Sequence, residues 1–357
     1  MKIGIIGLPQ SGKLTLFQAL TGIERAEHSS QQKTLLGTAD ILDPRFDALV
    51  SRYQPKKDVP AKIDFQLLPT LEKEAIAKGD IFRDIADMDA ICHVIRAFED
   101  ASVFHVNGSV DPIRDMDTIN AELLLHDLVF VEKRLERIAA ALKKIKDEKQ
   151  QKEQALLERM KAHLETELPL RMMDITEDED SLIRSYPLIT RKKMVLAINI
   201  SEDAVTTIED GYAAIQARCA ELDMQSMRVS AQVESEIVTL DDPEERLAFL
   251  ADMGITEPAL GVLTRLCLAA LGRISFFTVG KDEVRQWLVR KNATAPEAAG
   301  VIHSDLQRGF IRAETMKYDE LMAYPDEAAL KKAGKMYLQG KEYRVEDGDI
   351  LNIRFKV

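Results

Sequence analysis

The chain opens on Lys2-Ile3-Gly4-Ile5-Ile6-Gly7, an apolar run closed by glycine that predicts a short buried strand. Leu14 to Thr21 then carries helical spacing, with Leu16, Phe17 and Leu20 on one apolar side. Further apolar strands are predicted at Ala90–Ile95, Met194–Ile198 and Met227–Val229. Short buried strands separated by helical stretches favour a mostly parallel α/β sheet over a sandwich. A different texture runs from about Asp117 to Leu168. Leu124, Leu128, Val131, Leu135, Ile138, Leu142 and Ile145 alternate four- and three-residue steps, a heptad seam. The pattern lapses in DEKQQK (147–152) and resumes at Leu156, Met160 and Leu164, which predicts two helices folded into an antiparallel coiled-coil hairpin. Pro169 to Arg191, acidic in its middle, reads as a linker back to the sheet, and Asp241 to Gly272 reads as helical. From Ser275, VRQWLV and YRVEDGDILNIRF alternate as strands around a short helix in APEAAGVIH, so a small α+β domain is placed beyond Ile274. The predicted organisation is residues 1–116 and 169–274 as one α/β domain, interrupted by the hairpin at 117–168 and followed by a domain at 275–357.

Composition narrows the class. Of 357 residues, 46% are hydrophobic and 30% charged, as in a soluble globular protein with ample core. No apolar run approaches the about 18 residues of a membrane span. The N-terminus lacks the basic flank and cleavage site of a signal peptide. Cys92, Cys219 and Cys267 are odd in number and sit in apolar stretches, which predicts free thiols and a cytoplasmic protein. The net charge of −12 excludes a protein that coats nucleic acid by uniform charge. That acidity is uneven, because residues 275–357 hold 14 Lys and Arg against 13 Asp and Glu. A local RNA contact there remains compatible with the charge.

One motif carries chemistry. Gly7-Leu8-Pro9-Gln10-Ser11-Gly12-Lys13 fits G-x-x-x-x-G-K between a predicted strand and helix, the context a phosphate-binding loop requires. Glycines let successive amides face phosphate oxygens, the helix N-terminus adds its dipole, and Lys13 supplies positive charge. The next position should offer a hydroxyl to Mg²⁺, and here it is Leu14. Thr15 is no simple substitute, because one helical step turns its side chain by about 100°.

GLPQSGKLTLFQALTG resembles the phosphate loop of the YchF family, the Obg-like ATPases among translation-factor-class P-loop NTPases. The likeness continues through DPRFDAL, AICHVIRAFED, INAELLLHDLVFVEKRLE, LAINISED and VSAQVESEI. It is strongest from FFTVGKDEVRQW through AGKMYLQGKEYRVEDGDILNIRF. The resemblance implies a G-domain, a coiled-coil insertion and a C-terminal β-grasp (TGS) domain, in the order read above. It implies a site for ATP, or GTP, built from Gly7, Pro9, Gln10, Ser11, Gly12, Lys13, Leu14 and Thr15. Asn199, Ile200 and Glu202 match its base-recognition motif, and Ser230 and Ala231 match the loop that backs the base. Glu202 where guanine-specific relatives carry aspartate implies ATP over GTP.

The sequence departs from the family at the metal. Aligning Ile63-Asp64-Phe65 with the family's strand puts Leu67 at its metal-side aspartate and Thr70 at its γ-phosphate glycine; a frame that starts at Asp64 restores an acid but puts Leu67 at the glycine, so the motif is incomplete in either frame. Thr15, Thr34 and Asp64 are the remaining candidates for Mg²⁺, whose usual ligands are missing. The stretch LEKEAIAKG that follows Thr70 reads as helical. His93 and His105, without metal-spaced partners, are assigned structural roles. The C-terminal block carries Arg285, Trp287, Arg290, Lys291, Arg308, Arg312, Tyr318 and Tyr343, types suited to phosphate contact and base stacking. Likeness to TGS domains implies a ribosome or RNA partner. The leading expectation is a purine-nucleotide-binding protein of the translation machinery with weak or absent hydrolysis. Two alternatives are an active ATPase or GTPase switch and a nucleotide-independent adaptor.

Overall fold

The computed structural model describes residues 1–23, 34–71, 79–144, 147–206 and 210–356. The end of the predicted seam at Ile145, the stretch preceding Thr34, and residues 72–78 of the predicted helix after Thr70 lie outside them. The chain divides into two compact units, one formed by 1–38 and 64–263, the other by 39–63 and 264–357.

The strands in chain order are β1 (Lys2–Ile6), β2 (Leu35–Asp40), β3 (Lys57–Val59), β4 (Lys62–Leu67), β5 (Ala90–Arg96) and β6 (Met194–Asn199). They continue as β7 (Gln225–Val229), β8 (Arg273–Thr278), β9 (Glu283–Arg290), β10 (Phe310–Lys317), β11 (Tyr337–Gln339) and β12 (Asp349–Phe355). One sheet has the order β2-β4-β1-β5-β6-β7. Its β4-β1-β5-β6-β7 pairings are all parallel, as the continuous apolar runs predict for strands covered on both faces. Every residue of β5 and of β6 is buried. Ile6, Ile91, Ile95, Leu196 and Ile198 pack with Met116, Ile119 and Leu123 of a long helix in one core.

That helix spans Pro112–Leu142 and starts earlier than the heptads suggested, because Asp111 caps it, accepting a bond from the Arg114 amide, and proline occupies its first turn. It pairs with the helix Glu148–Leu164, capped by Asp147. Val131 and Ile138 of the seam are buried against Leu156, Leu157, Met160 and Leu164, and Leu124, Leu128, Leu135 and Leu142 flank them. Asp127 fastens the hairpin root. This fully buried carboxylate accepts bonds from the amides of Ile189 (3.0 Å) and Thr190 (2.7 Å) and from the Thr190 hydroxyl (2.7 Å). The predicted linker is itself partly helical, since Thr176 and Glu179 form a capping box for Glu177–Ile183. Its acidic residues stabilise that helix start rather than loosening the chain.

The second unit is a mixed sheet of order β11-β10-β12-β8-β9-β3. It differs from the domain placed at 275–357. Besides the residues from 264 onward it takes in 39–63, whose β3 adds a parallel edge to β9. The reason is packing. The helix Pro44–Tyr53 buries Phe46 and Leu49 among Phe277, Val284, Leu321 and Ile350. Arg45 clamps the same face, donating to buried Asp43 and, at 2.8 Å, to Asp347. No helix among the described residues is long and apolar enough to cross a membrane.

Truncating fully buried Leu49 to alanine should therefore destabilise the second unit by about 2–5 kcal/mol. Denaturant unfolding of the full chain, followed by the single Trp287 in that unit, measures it. An unchanged midpoint would contradict the assignment of 39–63 to this core.

Candidate nucleotide-binding site

Parallel pairing sets the site. The register matches Ile6 with His93, Arg96 with Asn199, and Asn199 with Val229, so β1, β5, β6 and β7 end along one edge. The loops that follow them leave from that carboxyl edge, where open α/β sheets bind ligands. The residues singled out in sequence, Gly7–Thr15, Asn199–Glu202 and Ser230–Ala231, are thereby collected from three separate stretches.

The first loop is held in a tight curl. Gln10 and Gly12 take positive φ values of 57° and 85°, and Gly12 is the N-cap of the helix Lys13–Thr21. Gly7 is required by close approach, since a Cβ there would lie 2.5 Å from the Val94 carbonyl oxygen and 2.8 Å from Ser11 Oγ. At Gly12 a Cβ would fall 2.0 Å from Asn199 Nδ2, in a conformation L side chains rarely adopt. Lys13 is buried in its own loop, and its Nζ donates to the Leu8 carbonyl at 3.0 Å.

Asn199 joins the loops. Its Nδ2 donates to the Ser11 carbonyl at 3.0 Å, and its Oδ1 accepts from the Ala231 amide at 3.0 Å. One buried carboxamide thus ties the phosphate loop to the loop after β7. Ile200 is buried and donates its amide to the Val229 carbonyl at 2.9 Å. Glu202, exposed, opens a single 3₁₀ turn. Ser230 caps the helix Ala231–Thr239 through the Val233 amide.

Two buried polar groups under the loop lack partners among the described residues. One is Ser11 Oγ, a hydroxyl with both donor and acceptor capacity. The other is His93, whose two ring nitrogens are both unsatisfied. Burial, with a smaller contribution from the charge of Lys13, pushes the His93 pKa down to about 3. A neutral imidazole beneath the loop adds no positive charge to it. His105 is an anchor, its Nε2 2.9 Å from Asp115 Oδ2, both side chains buried.

The chemistry of a phosphate fits this donor set: a curled backbone at a helix N-terminus, a hydroxyl and a lysine. Leu14 holds the hydroxyl position, and no group of three potential acidic, histidine or cysteine ligands exists among the described residues. Leu67, level with Ile5 beside the loop, is buried. Asp64, named above as a candidate metal ligand, is displaced by the same register. It pairs with Lys2 at the opposite end of β1, accepts from the Thr38 hydroxyl at 3.0 Å, and lies 3.9 Å from the N-terminal ammonium. Thr15 is half-buried in the first helical turn, and Thr34 directly precedes β2. Among the described residues neither belongs to a cluster of acidic, histidine or cysteine side chains that could hold a metal.

Comparison with known proteins agrees with this architecture. The chain is 41% identical over 364 residues to the Ribosome-binding ATPase YchF of Bacillus subtilis, covering 99% of each. The chain belongs to the YchF family. It is 38% identical to the Ribosome-binding ATPase YchF of Pasteurella multocida, over 100% of this chain and 99% of that one. It is 34% identical to Obg-like ATPase 1 of Oryza sativa subsp. japonica, over 100% of this chain and 92% of that one. The family model YchF-GTPase_C, described as a protein of unknown function (DUF933), matches residues 273–356. The structure of the Schizosaccharomyces pombe YchF GTPase superposes with a TM-score of 0.81 at 31% identity, covering 99% of this chain and 97% of that one. The α/β P-loop fold and nucleotide binding follow from that membership.

What sequence reasoning did not supply is the bracing role of Asn199 and the buried His93 ring whose nitrogens find no partner among the described residues. A histidine inside the all-apolar run Ala90–Ile95 was the one available signal for the second.

Replacing Asn199 by alanine removes both bonds and should weaken nucleotide binding at least tenfold, or about 1.4 kcal/mol, in calorimetric titration. His93 should remain neutral between pH 5 and 8, showing no imidazole titration by NMR. Its folded pKa lies below the unfolded value of 6.5, so the unfolded chain binds the proton first. Stability should therefore fall as pH drops from about 6.5 toward 3, by up to about 1.4 kcal/mol per unit, relative to His93→Leu.

Proposed function

We propose that this chain is a cytoplasmic purine-nucleotide-binding module of the translation machinery, preferring ATP to GTP, with weak or absent Mg²⁺-dependent hydrolysis. The observation that carries the reading is the pairing of a complete phosphate loop with apolar residues at the metal positions. Leu67 ends β4 level with Ile5, and Leu14 follows Lys13. The amides of the curled loop and Lys13 would hold the phosphates of ATP. Asn199 keeps the base-side loop in place, with Glu202 in the position that guanine-specific relatives give to aspartate.

Bound ATP supplies the phosphoanhydride. Phosphoryl transfer in this class depends on a metal to bridge the β- and γ-phosphates and to offset charge in the transition state. With leucine at two ligand positions and threonine at the γ-phosphate glycine, this chain's residues bind and orient without completing that charge balance. A ribosome partner is supported by the names of the bacterial relatives and by the near-neutral charge of residues 275–357 within an acidic chain. We infer that the mixed sheet of the second unit, read as a TGS-like domain, makes that contact, and that the paired helices 112–142 and 148–164 form the coiled-coil insertion.

Titration with ATP, GTP and ADP, with and without Mg²⁺, tests the reading. ATP should bind more tightly than GTP, with an affinity changed less than threefold by Mg²⁺, and turnover should stay near the buffer rate. Metal-strengthened binding with rapid hydrolysis would establish the active-ATPase alternative, and no binding at millimolar nucleotide would leave the adaptor. The double variant Leu14→Ser, Leu67→Asp should acquire a Mg²⁺ response in ATP affinity. Its failure to do so, in a folded protein, would sink the account of the metal defect.

A further inference from the structure

A cavity of about 570 Å³ opens at the root of the helical hairpin, away from the phosphate loop. Its walls include Leu124 and Leu128 of the first hairpin helix, Leu164 of the second, and Leu222. Two donors line it without a partner. Asn120, nine-tenths buried, leaves its Nδ2 unsatisfied, and Arg171 leaves one terminal guanidinium nitrogen buried and unsatisfied. The Arg171 Nε is fixed by the Leu222 carbonyl at 2.9 Å, so the guanidinium is held in place. It makes no ion pair among the described residues. Burial pulls its pKa down to about 10, which still leaves it charged at neutral pH.

Burying a charged donor with an open hydrogen-bonding position is costly unless an acceptor completes it. The acids at the rim do not supply one. Asp117 is bound by Arg218 at 3.0 Å, and Glu165 faces Lys161 at 3.7 Å. Glu167, the third, is exposed.

We propose that this cavity is a binding site for a small monocarboxylate with an apolar body, its carboxylate on Arg171 and Asn120 and its hydrocarbon among the leucines. Guanidinium is the side chain best matched to a carboxylate, and the amide nitrogen adds a second donor. The leucine walls select an apolar body, and the volume lies within the range of small-molecule pockets. The leucine walls suit a hydrocarbon chain and not a strongly hydrated, multiply charged anion such as phosphate. The site is independent of the nucleotide reading, because none of its residues belongs to the loops that hold Asn199.

Calorimetry and methyl NMR on the full-length protein with decanoate, decanol and inorganic phosphate test this. Decanoate should bind with a Kd below about 1 mM and shift the methyl signals of Leu124 and Leu128. Decanol should bind at least tenfold more weakly, and phosphate should not bind at the cavity. Arg171→Met should lose at least tenfold in decanoate affinity while ATP titrates as in the wild type. Asn120→Asp, nearly isosteric but adding negative charge, should do the same and serves if Arg171→Met fails to fold. No binding of decanoate at millimolar concentration, equal binding of decanol, phosphate binding in its place, shifts confined to another surface, or wild-type decanoate affinity in a folded variant would each overturn the proposal.

Discussion

The nucleotide edge of this protein hangs from one buried carboxamide. Asn199 ends β6 and spans the gap between the Ser11 carbonyl and the Ala231 amide, one bond to each. It can do so because β6 and β7 end level while β1, in parallel register, stops three residues short, level with His93 and Leu196, and leaves room for the loop that follows it. The same carboxamide explains why Gly12 tolerates no side chain: a Cβ there would occupy the amide's position. Glycine, asparagine and strand register are therefore one constraint seen from three places in the sequence.

Apolar side chains lie close to that fixed edge. A metal-binding rim demands oxygen ligands held in water-accessible geometry. Leu67 instead joins the buried core, and Leu14 presents hydrocarbon in the first helical turn. The curl of the loop and the Lys13 bond to the Leu8 carbonyl do not involve either leucine side chain. On the proposed reading, binding and turnover would separate because they draw on different atoms: amides and an ammonium for the first, metal ligands and a γ-phosphate glycine for the second.

The hairpin is tied to the sheet by polar bonds as well as leucines. Asp127 caps the amides of Ile189 and Thr190 just before β6 begins, so the hairpin root and the strand that ends in Asn199 share a fixed start. Farther out, Glu153 takes bonds from Arg134 and Tyr186, and burial together with that carboxylate raises the tyrosine pKa to about 12. These satisfied networks contrast with the open donors of Asn120 and Arg171 nearby.

The sequence alone determined the features that arise from local order. The strand, glycine turn and helix of residues 2–21, the heptad seam of the hairpin and the order of motifs all follow from periodicity and spacing along contiguous residues. The identity of Leu14 and Leu67, whose side chains carry no oxygen for a metal, is likewise read from the sequence alone. Tertiary structure decided what depends on residues distant in sequence. Asp64 looked like a metal candidate until register put it beside Lys2, at the wrong end of a strand whose direction periodicity does not reveal. Residues 39–63 looked like part of the first domain, yet Phe46 and Leu49 find their apolar partners more than 220 residues onward, at Phe277 and Val284. Apolar side chains announce that they will be buried. Only the closed chain says against what.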